Sequence, residues 1–73
     1  MGFVMKPWEV VDFLEDQGFY WDRNSDHRIM TNGTISVPIP TGHSGDLKKG
    51  TLSGILREAG FTTKDAKKWR EGR

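Results

Sequence analysis

The fold is decided by one stretch in the middle of the chain, FYWDRNSDHRIMTNGTISVP at residues 19–38. Three segments of it, 19–23, 27–31 and 34–38, have the aromatic or β-branched content that is typical of strands. Polar turn formers separate the first two segments, and the pair Asn32-Gly33 separates the last two. The stretch therefore predicts a three-stranded antiparallel meander.

Helical patterns lie on both sides of this meander. Residues 7–17 begin with a proline, which is favoured at a first helical position, and carry apolar side chains at helical spacing. A second helix is predicted to begin at Gly50 or Thr51, and a short third one to cover about 63–70 behind the capping-box spacing of 62–65. The predicted fold class is α+β: helix, three-stranded antiparallel sheet, helix, and a short C-terminal helix. Double-stranded-RNA-binding domains (dsRBDs) have this layout.

Length and composition limit the class of protein. A chain of 73 residues is predicted to form one domain over 1–73. The chain has no cysteine, which excludes disulfides and thiolate metal sites. No apolar stretch approaches the roughly 20 residues that span a bilayer, and no secretory signal pattern is present. A soluble, cytoplasmic protein without a membrane partner is expected.

The net charge of +1 conceals an uneven distribution. Residues 1–26 carry two basic and six acidic side chains, a balance of −4, whereas residues 27–73 carry nine basic and four acidic ones, a balance of +5. A basic half indicates a polyanionic partner, although a solvated helix face gives the same count. Both interpretations stay open for the C-terminal cations Lys64, Lys67, Lys68, Arg70 and Arg73.

His27 is the first candidate for chemistry. It begins the predicted second strand, just after a polar turn, where an imidazole is accessible to water. Because histidine titrates near neutral pH, it can take the proton of a ribose 2′-hydroxyl or return one to a leaving oxygen. RNA carries its own nucleophile beside the scissile phosphate, so one base and some positive charge suffice without a metal. An ordinary surface histidine is the alternative for this residue taken alone.

Basic and polar residues form a second candidate group. Lys48 and Lys49 precede the predicted helix start, where free backbone N–H groups and the helix dipole favour a phosphate. Arg28 follows His27 in the predicted strand, so their side chains are expected on opposite faces. Solvated surface charges are the alternative. The predicted RNA- and phosphate-binding residues are Arg28, His43, Lys48, Lys49 and Thr51.

The role of His43 has three interpretations: general acid, phosphate contact or plain loop residue. A zinc site made of His27, His43 and either Asp26 or Asp46 matches no standard ligand spacing. No metal and no other cofactor is therefore expected.

The aromatic residues of the first predicted strand suit either base stacking or the core. Phe19 and Trp21 share one face of that strand and are assigned to the core, since a small domain needs large side chains there. Tyr20, on the opposite face, is predicted to be exposed.

Three segments, taken in order, match one known family. They are RNSDHRI at 23–29, Val37-Pro38 followed by HSGDLKKGTL at 43–52, and ILREAGF at 55–61. Together with the first helix they resemble the HicA (YcfA-like) family, and the resemblance covers about residues 5–63. The chain departs from the family pattern at a turn serine, where glycine is usual, and in a longer loop before the second block.

The resemblance implies the toxin of a two-gene toxin–antitoxin pair. Such a toxin is a metal-independent endoribonuclease (an mRNA interferase), which a HicB-type antitoxin neutralises. The catalytic histidine of the family corresponds to His27. RNA and the antitoxin are the expected partners, and the free toxin is expected to be a monomer. A non-catalytic double-stranded-RNA-binding module and an inactive relative that occupies an antitoxin are the competing functions.

Overall fold

The computed structural model of the chain describes residues 3–26, 28–42 and 45–72. In chain order its elements are α1 (Pro7–Asp16), β1 (Tyr20–Trp21), β2 (Ile29–Thr31), β3 (Ser36–Pro38), α2 (Lys49–Glu58) and α3 (Thr63–Glu71). The strands form one antiparallel sheet in the order β1-β2-β3. The predicted α+β, dsRBD-like arrangement is confirmed. None of the described helices is long and apolar enough to cross a membrane.

Local signals determine both ends of α1. The helix begins at Pro7, and the Lys6 N–H donates to the Glu9 carboxylate at 3.0 Å, so the first turn is capped by its own acid. Beyond its end, Gly18 has a φ of +94°, in the left-handed region that favours glycine. The helix ends one residue before the predicted boundary, at Asp16.

The sheet register separates a core face from an exposed face. Met30 is fully buried and pairs with Trp21 on one side and the buried Val37 on the other. The neighbouring pair, Tyr20 and Thr31, belongs to the opposite face because side chains alternate along a strand. Tyr20 is 54% exposed, which confirms its predicted orientation.

Two polar side chains make the strands shorter than predicted. Asp22 Oδ1 accepts a hydrogen bond from the Asn24 N–H at 2.9 Å, which turns the chain immediately after β1. Asn32 Oδ1 likewise accepts from the Ile35 N–H at 2.7 Å, so the loop between β2 and β3 covers residues 32–35. The prediction that the second strand begins at position 27 is wrong, since β2 begins at Ile29.

An aromatic cluster joins α3 to the rest of the core. The Phe13 side chain is 2% exposed, and its ring meets those of Phe61 and Trp69 edge-on, at centroid distances of 5.2 and 5.5 Å. The indole N–H of Trp69 also donates to the Asp16 carboxylate at 2.6 Å. These contacts pack Trp69 against the core.

Arg70 ties the N-terminal segment to α3. Its guanidinium Nη2 donates to the Val4 carbonyl oxygen at 2.8 Å and forms a salt bridge with Glu9 Oε2, also at 2.8 Å. Its Cζ atom lies 4.6 Å from the centroid of the Phe3 ring. We call this set of contacts the Arg70 clasp. Arg70 is thus engaged within the molecule and is not part of a solvated basic face.

The capping box of α3 gives a first prediction. Thr62 Oγ1 accepts from the Asp65 N–H at 3.2 Å, and the Thr62 N–H donates to Asp65 Oδ2 at 3.0 Å. We expect Thr62→Ala to lower the free energy of unfolding by about 1 kcal/mol, because a first-turn N–H loses its partner. Thr62→Ser keeps the hydroxyl and is expected to cost much less. Urea denaturation of both variants measures the difference, and equal losses would contradict the capping role.

Candidate functional site

A groove of about 650 Å³ lies between the end of β3 and α2, and its lining reaches Glu58, the last residue of that helix. One wall is formed by Arg28 and the segment 38–42, and the other by α2, including Gly50, Thr51 and Gly54. We call it the α2 groove. It brings together Arg28 and Thr51, two of the predicted phosphate-binding residues, which are far apart in the sequence.

Two glycines open the helical wall of the α2 groove. Gly50 and Gly54 lie four positions apart in α2, and a Cβ atom added at either one would have no heavy atom within 4 Å. At these two positions the wall presents helix backbone, beside the residues Thr51, Ile55 and Glu58, which lets another backbone approach closely. This feature was not predicted, although its signal, two glycines at i and i+4 in a helix, is visible in the sequence.

The N-terminus of α2 lacks a cap from the side chain of its own N-cap residue. Lys48 is the N-cap residue and makes no side-chain cap hydrogen bond, and the first turn contains no acidic residue. By contrast, the backbone N–H groups of the N-cap residues of α1 and α3, Lys6 and Thr62, each donate to a carboxylate of the first turn. The first N–H groups of a helix and the positive end of its dipole favour an anion here. Lys49 is the first residue of α2, so the prediction that both lysines precede the helix is wrong for Lys49.

Arg28 is held by one contact of its side chain and one hydrogen bond of its backbone. Its guanidinium Cζ lies 5.9 Å from the centroid of the Trp21 ring, which is partly buried against the core. Its carbonyl oxygen accepts a hydrogen bond from the Ile39 N–H at 2.8 Å, which joins the backbone of Arg28 to the segment 38–42 of the groove wall. The side chain itself is exposed and can reach a phosphate.

The two histidines, His27 and His43, lie outside the described residues. The expectation that His27 and Arg28 point to opposite faces stays a prediction for that reason. Among the residues that the structure does describe, no group of three or more histidine, aspartate or glutamate side chains could hold a metal ion.

A second cavity, of about 710 Å³, lies along the edge strand β1 and the turn that follows it. We call it the β1 cavity. Its walls are formed by Glu15, Tyr20, Trp21, Asp22, Arg23, Asn24 and Thr31. Trp21 lines the β1 cavity, and the centroid of its ring lies 5.9 Å from the guanidinium Cζ of Arg28, a residue of the α2 groove. Asp22 was not among the predicted site residues. Its position in the wall follows from the turn after β1, in which its carboxylate accepts the Asn24 N–H.

One comparison with known proteins identifies the family. A model of the HicA toxin of bacterial toxin–antitoxin systems matches residues 8–61. This range includes the sheet and both walls of the α2 groove, whereas α3 follows it. Searches of curated proteins and of solved structures found no match. Because the family model covers well over half of its residues, the chain belongs to the HicA family of toxins from bacterial toxin–antitoxin systems.

Proposed function

We propose that this protein is a metal-independent endoribonuclease that cleaves mRNA, with His27 as its general base or acid. The observation that supports this most is the α2 groove, which is lined by both Arg28 and Thr51, a residue of the first turn of α2. Arg28 offers positive charge and the start of α2 offers backbone donors to one phosphate group, while the Glu58 carboxylate lies at the other end of the helix that lines the groove. His27 is bonded to Arg28 in the chain, so the proposed base and the proposed phosphate site are neighbours in sequence.

The proposed reaction uses the nucleophile that RNA itself carries. His27 removes the proton of a ribose 2′-hydroxyl, the 2′-oxygen forms a bond to the adjacent phosphorus, and the bond from phosphorus to the 5′-oxygen breaks. The leaving 5′-oxygen takes up a proton, and the products are a 2′,3′-cyclic phosphate and a 5′-hydroxyl. A positioned base contributes about 10²- to 10⁴-fold to such a step. We propose His43 as the acid that protonates the leaving oxygen or as a further phosphate contact.

Developing negative charge on the phosphate is the second requirement of this reaction. Arg28, Lys48, Lys49 and Thr51 are proposed to hold the phosphate, aided by the first N–H groups of α2. All four residues are exposed and therefore accessible to a ligand. Preorganised donors of this kind stabilise the transition state because they need no rearrangement when the charge appears.

Incubation of the purified protein with RNA in excess EDTA tests the proposal. We expect cleavage to continue, because no step uses a metal ion, and the 5′ fragments to end in a 2′,3′-cyclic phosphate or a phosphate. Fragments that end in a 3′-hydroxyl would overturn the mechanism, since the 2′-oxygen would not have attacked. Intact RNA that still binds the protein would favour the non-catalytic RNA-binding module, which the dsRBD-like fold also suits.

The lysines at the start of α2 give a prediction about RNA affinity. We expect the double variant Lys48→Ala, Lys49→Ala to bind RNA more weakly at every sequence. The slope of log K against log salt should become shallower by about 0.7 for each phosphate of single-stranded RNA that the variant no longer neutralises. Fluorescence anisotropy at several salt concentrations measures both quantities.

The matched control removes two exposed lysines from α3, Lys64 and Lys67. That variant changes the net charge equally but leaves the start of α2 intact. If both double variants reduce the slope to the same extent, the phosphate contacts are not concentrated at α2.

A HicB-type antitoxin is the proposed protein partner, because the HicA family belongs to toxin–antitoxin systems. We further propose that residues 1–73 act as one domain, that the free toxin is a monomer and that it acts in the cytoplasm. Support for one domain comes from the core, whose buried members extend from Met5 to Ala66.

A further inference from the structure

We propose that the β1 cavity binds a nucleobase of the RNA substrate and selects guanine there. The inference rests on the proposed ribonuclease function and adds base selectivity to it. The cavity holds about 710 Å³ and combines an exposed aromatic ring with two carboxylates, an amide and a guanidinium. Aromatic stacking and hydrogen bonds to the Watson–Crick edge are how proteins read unpaired RNA bases.

The position of the cavity suits a nucleotide whose phosphate lies in the α2 groove. Trp21 lines the β1 cavity, and the guanidinium Cζ of Arg28 lies 5.9 Å from the centroid of the Trp21 ring. Arg28 in turn lines the α2 groove. The proposed base site and the proposed phosphate site thus include neighbouring side chains. The chain from Asp22 to Arg28 also contains His27, the proposed base.

Tyr20 provides the stacking surface. Its side chain is 54% exposed, although it belongs to a sheet and the domain is small. A Cβ atom added at Gly33 would lie 3.7 Å from the tyrosine hydroxyl oxygen, so the ring extends over the β2–β3 turn. A side chain held against a hairpin loses little freedom when a base stacks on it. Stacking alone does not discriminate between bases, because every base has a π face.

Asp22 provides the selectivity. Its Oδ1 accepts the Asn24 N–H at 2.9 Å, which fixes the carboxylate in the wall of the cavity. Each carboxylate oxygen has two acceptor positions, so the group still accepts two further hydrogen bonds. Guanine offers adjacent N1–H and N2–H donors that match them. Adenine, cytosine and uracil each present an acceptor beside their donor, which a carboxylate repels.

Two more residues of the cavity wall favour guanine over the other three bases. Glu15 adds a second carboxylate to the wall, which makes the cavity unfavourable for bases rich in acceptors. Arg23 lies in the same wall and is exposed. Arginine is the usual partner of guanine O6 and N7, and its charge offsets one of the two carboxylates.

Binding of single nucleotides tests the inference without requiring cleavage. The probes are 5′-GMP, 5′-AMP, 5′-CMP and 5′-UMP, titrated into the ¹⁵N-labelled protein and followed by amide chemical shifts. We expect 5′-GMP to shift the amides of Tyr20, Asp22 and Asn24 and to bind about ten-fold more tightly than the other three nucleotides.

Three variants separate stacking from selection. Tyr20→Ala should weaken all four nucleotides by about ten-fold. Asp22→Asn preserves the turn acceptor Oδ1 but replaces one acceptor with a donor, so it should remove the preference for 5′-GMP and leave stacking intact. Trp8→Ala is the control, because Trp8 is 63% exposed on α1 but does not line the cavity. Its binding should equal that of the parent protein.

Equal affinity for the four nucleotides, or shifts confined to the α2 groove, would overturn the inference. Mapping of the positions at which the RNA is cut tests the base site and the ribonuclease activity separately. RNA cleavage without a guanine preference would support the ribonuclease function and contradict the proposed base site. Selective binding of 5′-GMP by a protein that does not cleave RNA would support the base site and contradict the proposed ribonuclease function.

Discussion

RNA cleavage is expected to fall at least about 100-fold when His27 is replaced by alanine, because the reaction then loses its positioned base. RNA binding should change little, since Arg28 and the start of α2 are the residues proposed to hold the phosphate. The rate of cleavage of a labelled RNA under single-turnover conditions, together with its Kd, measures the two effects separately. Circular dichroism establishes that the variant is folded.

His43→Ala is the informative companion to that variant. If His43 protonates the leaving oxygen, its removal also lowers the rate with little change in affinity. If it contacts a phosphate, its removal weakens binding instead. A His27→Ala protein that is folded and cleaves RNA at the parent rate would exclude His27 as the catalytic residue.

Phe13→Ala is expected to have the largest effect on stability, a loss of about 3–5 kcal/mol in the free energy of unfolding. The side chain is 2% exposed and contacts the rings of Phe61 and Trp69, so its removal leaves a cavity between α1 and the C-terminal part of the chain. Small domains have a total stability of only about 5–15 kcal/mol. The variant should therefore be close to unfolding, which urea denaturation measures.

The matched control for Phe13 lies on the same helix. Trp8 is also a large aromatic residue of α1 but is 63% exposed, and Trp8→Ala should change the stability by no more than about 0.5 kcal/mol. Similar losses in the two variants would mean that helix propensity, rather than core packing, determines the cost.

The elements of the fold could be predicted because their signals are local. Pro7 marks the start of α1, and Gly18 and Gly60 have the positive φ values that follow the ends of α1 and α2. The strand lengths were overestimated because Asp22 and Asn32 bind backbone N–H groups that a longer strand would need. A backbone N–H can bond either to such a side chain or to a neighbouring strand, and which bond forms depends on the register of the whole sheet.

The candidate site was predictable only in part, for a different reason. The helical pattern predicts that both lysines precede α2; Lys48 is its N-cap residue, whereas Lys49 is the first residue of the helix. The α2 groove requires the segment 38–42 to lie against α2, which is a tertiary contact. The stack of Arg28 on Trp21 depends on strand pairing. Arg70, counted with the C-terminal cations, is bound to residues near the other end of the chain.

The Arg70 clasp has a consequence for the order in which the molecule is completed. The hydrogen bond from Arg70 to the Val4 carbonyl joins residues 66 positions apart. A ribosome releases Val4 early and Arg70 late, and contacts of such separation close slowly even in a free chain. A nascent chain that stops before α3 therefore has the sheet and α2 but lacks both the clasp and the Trp69 contact with Phe13. The contacts of α3 with the N-terminal segment and with Phe13 are therefore among the last that become available during synthesis.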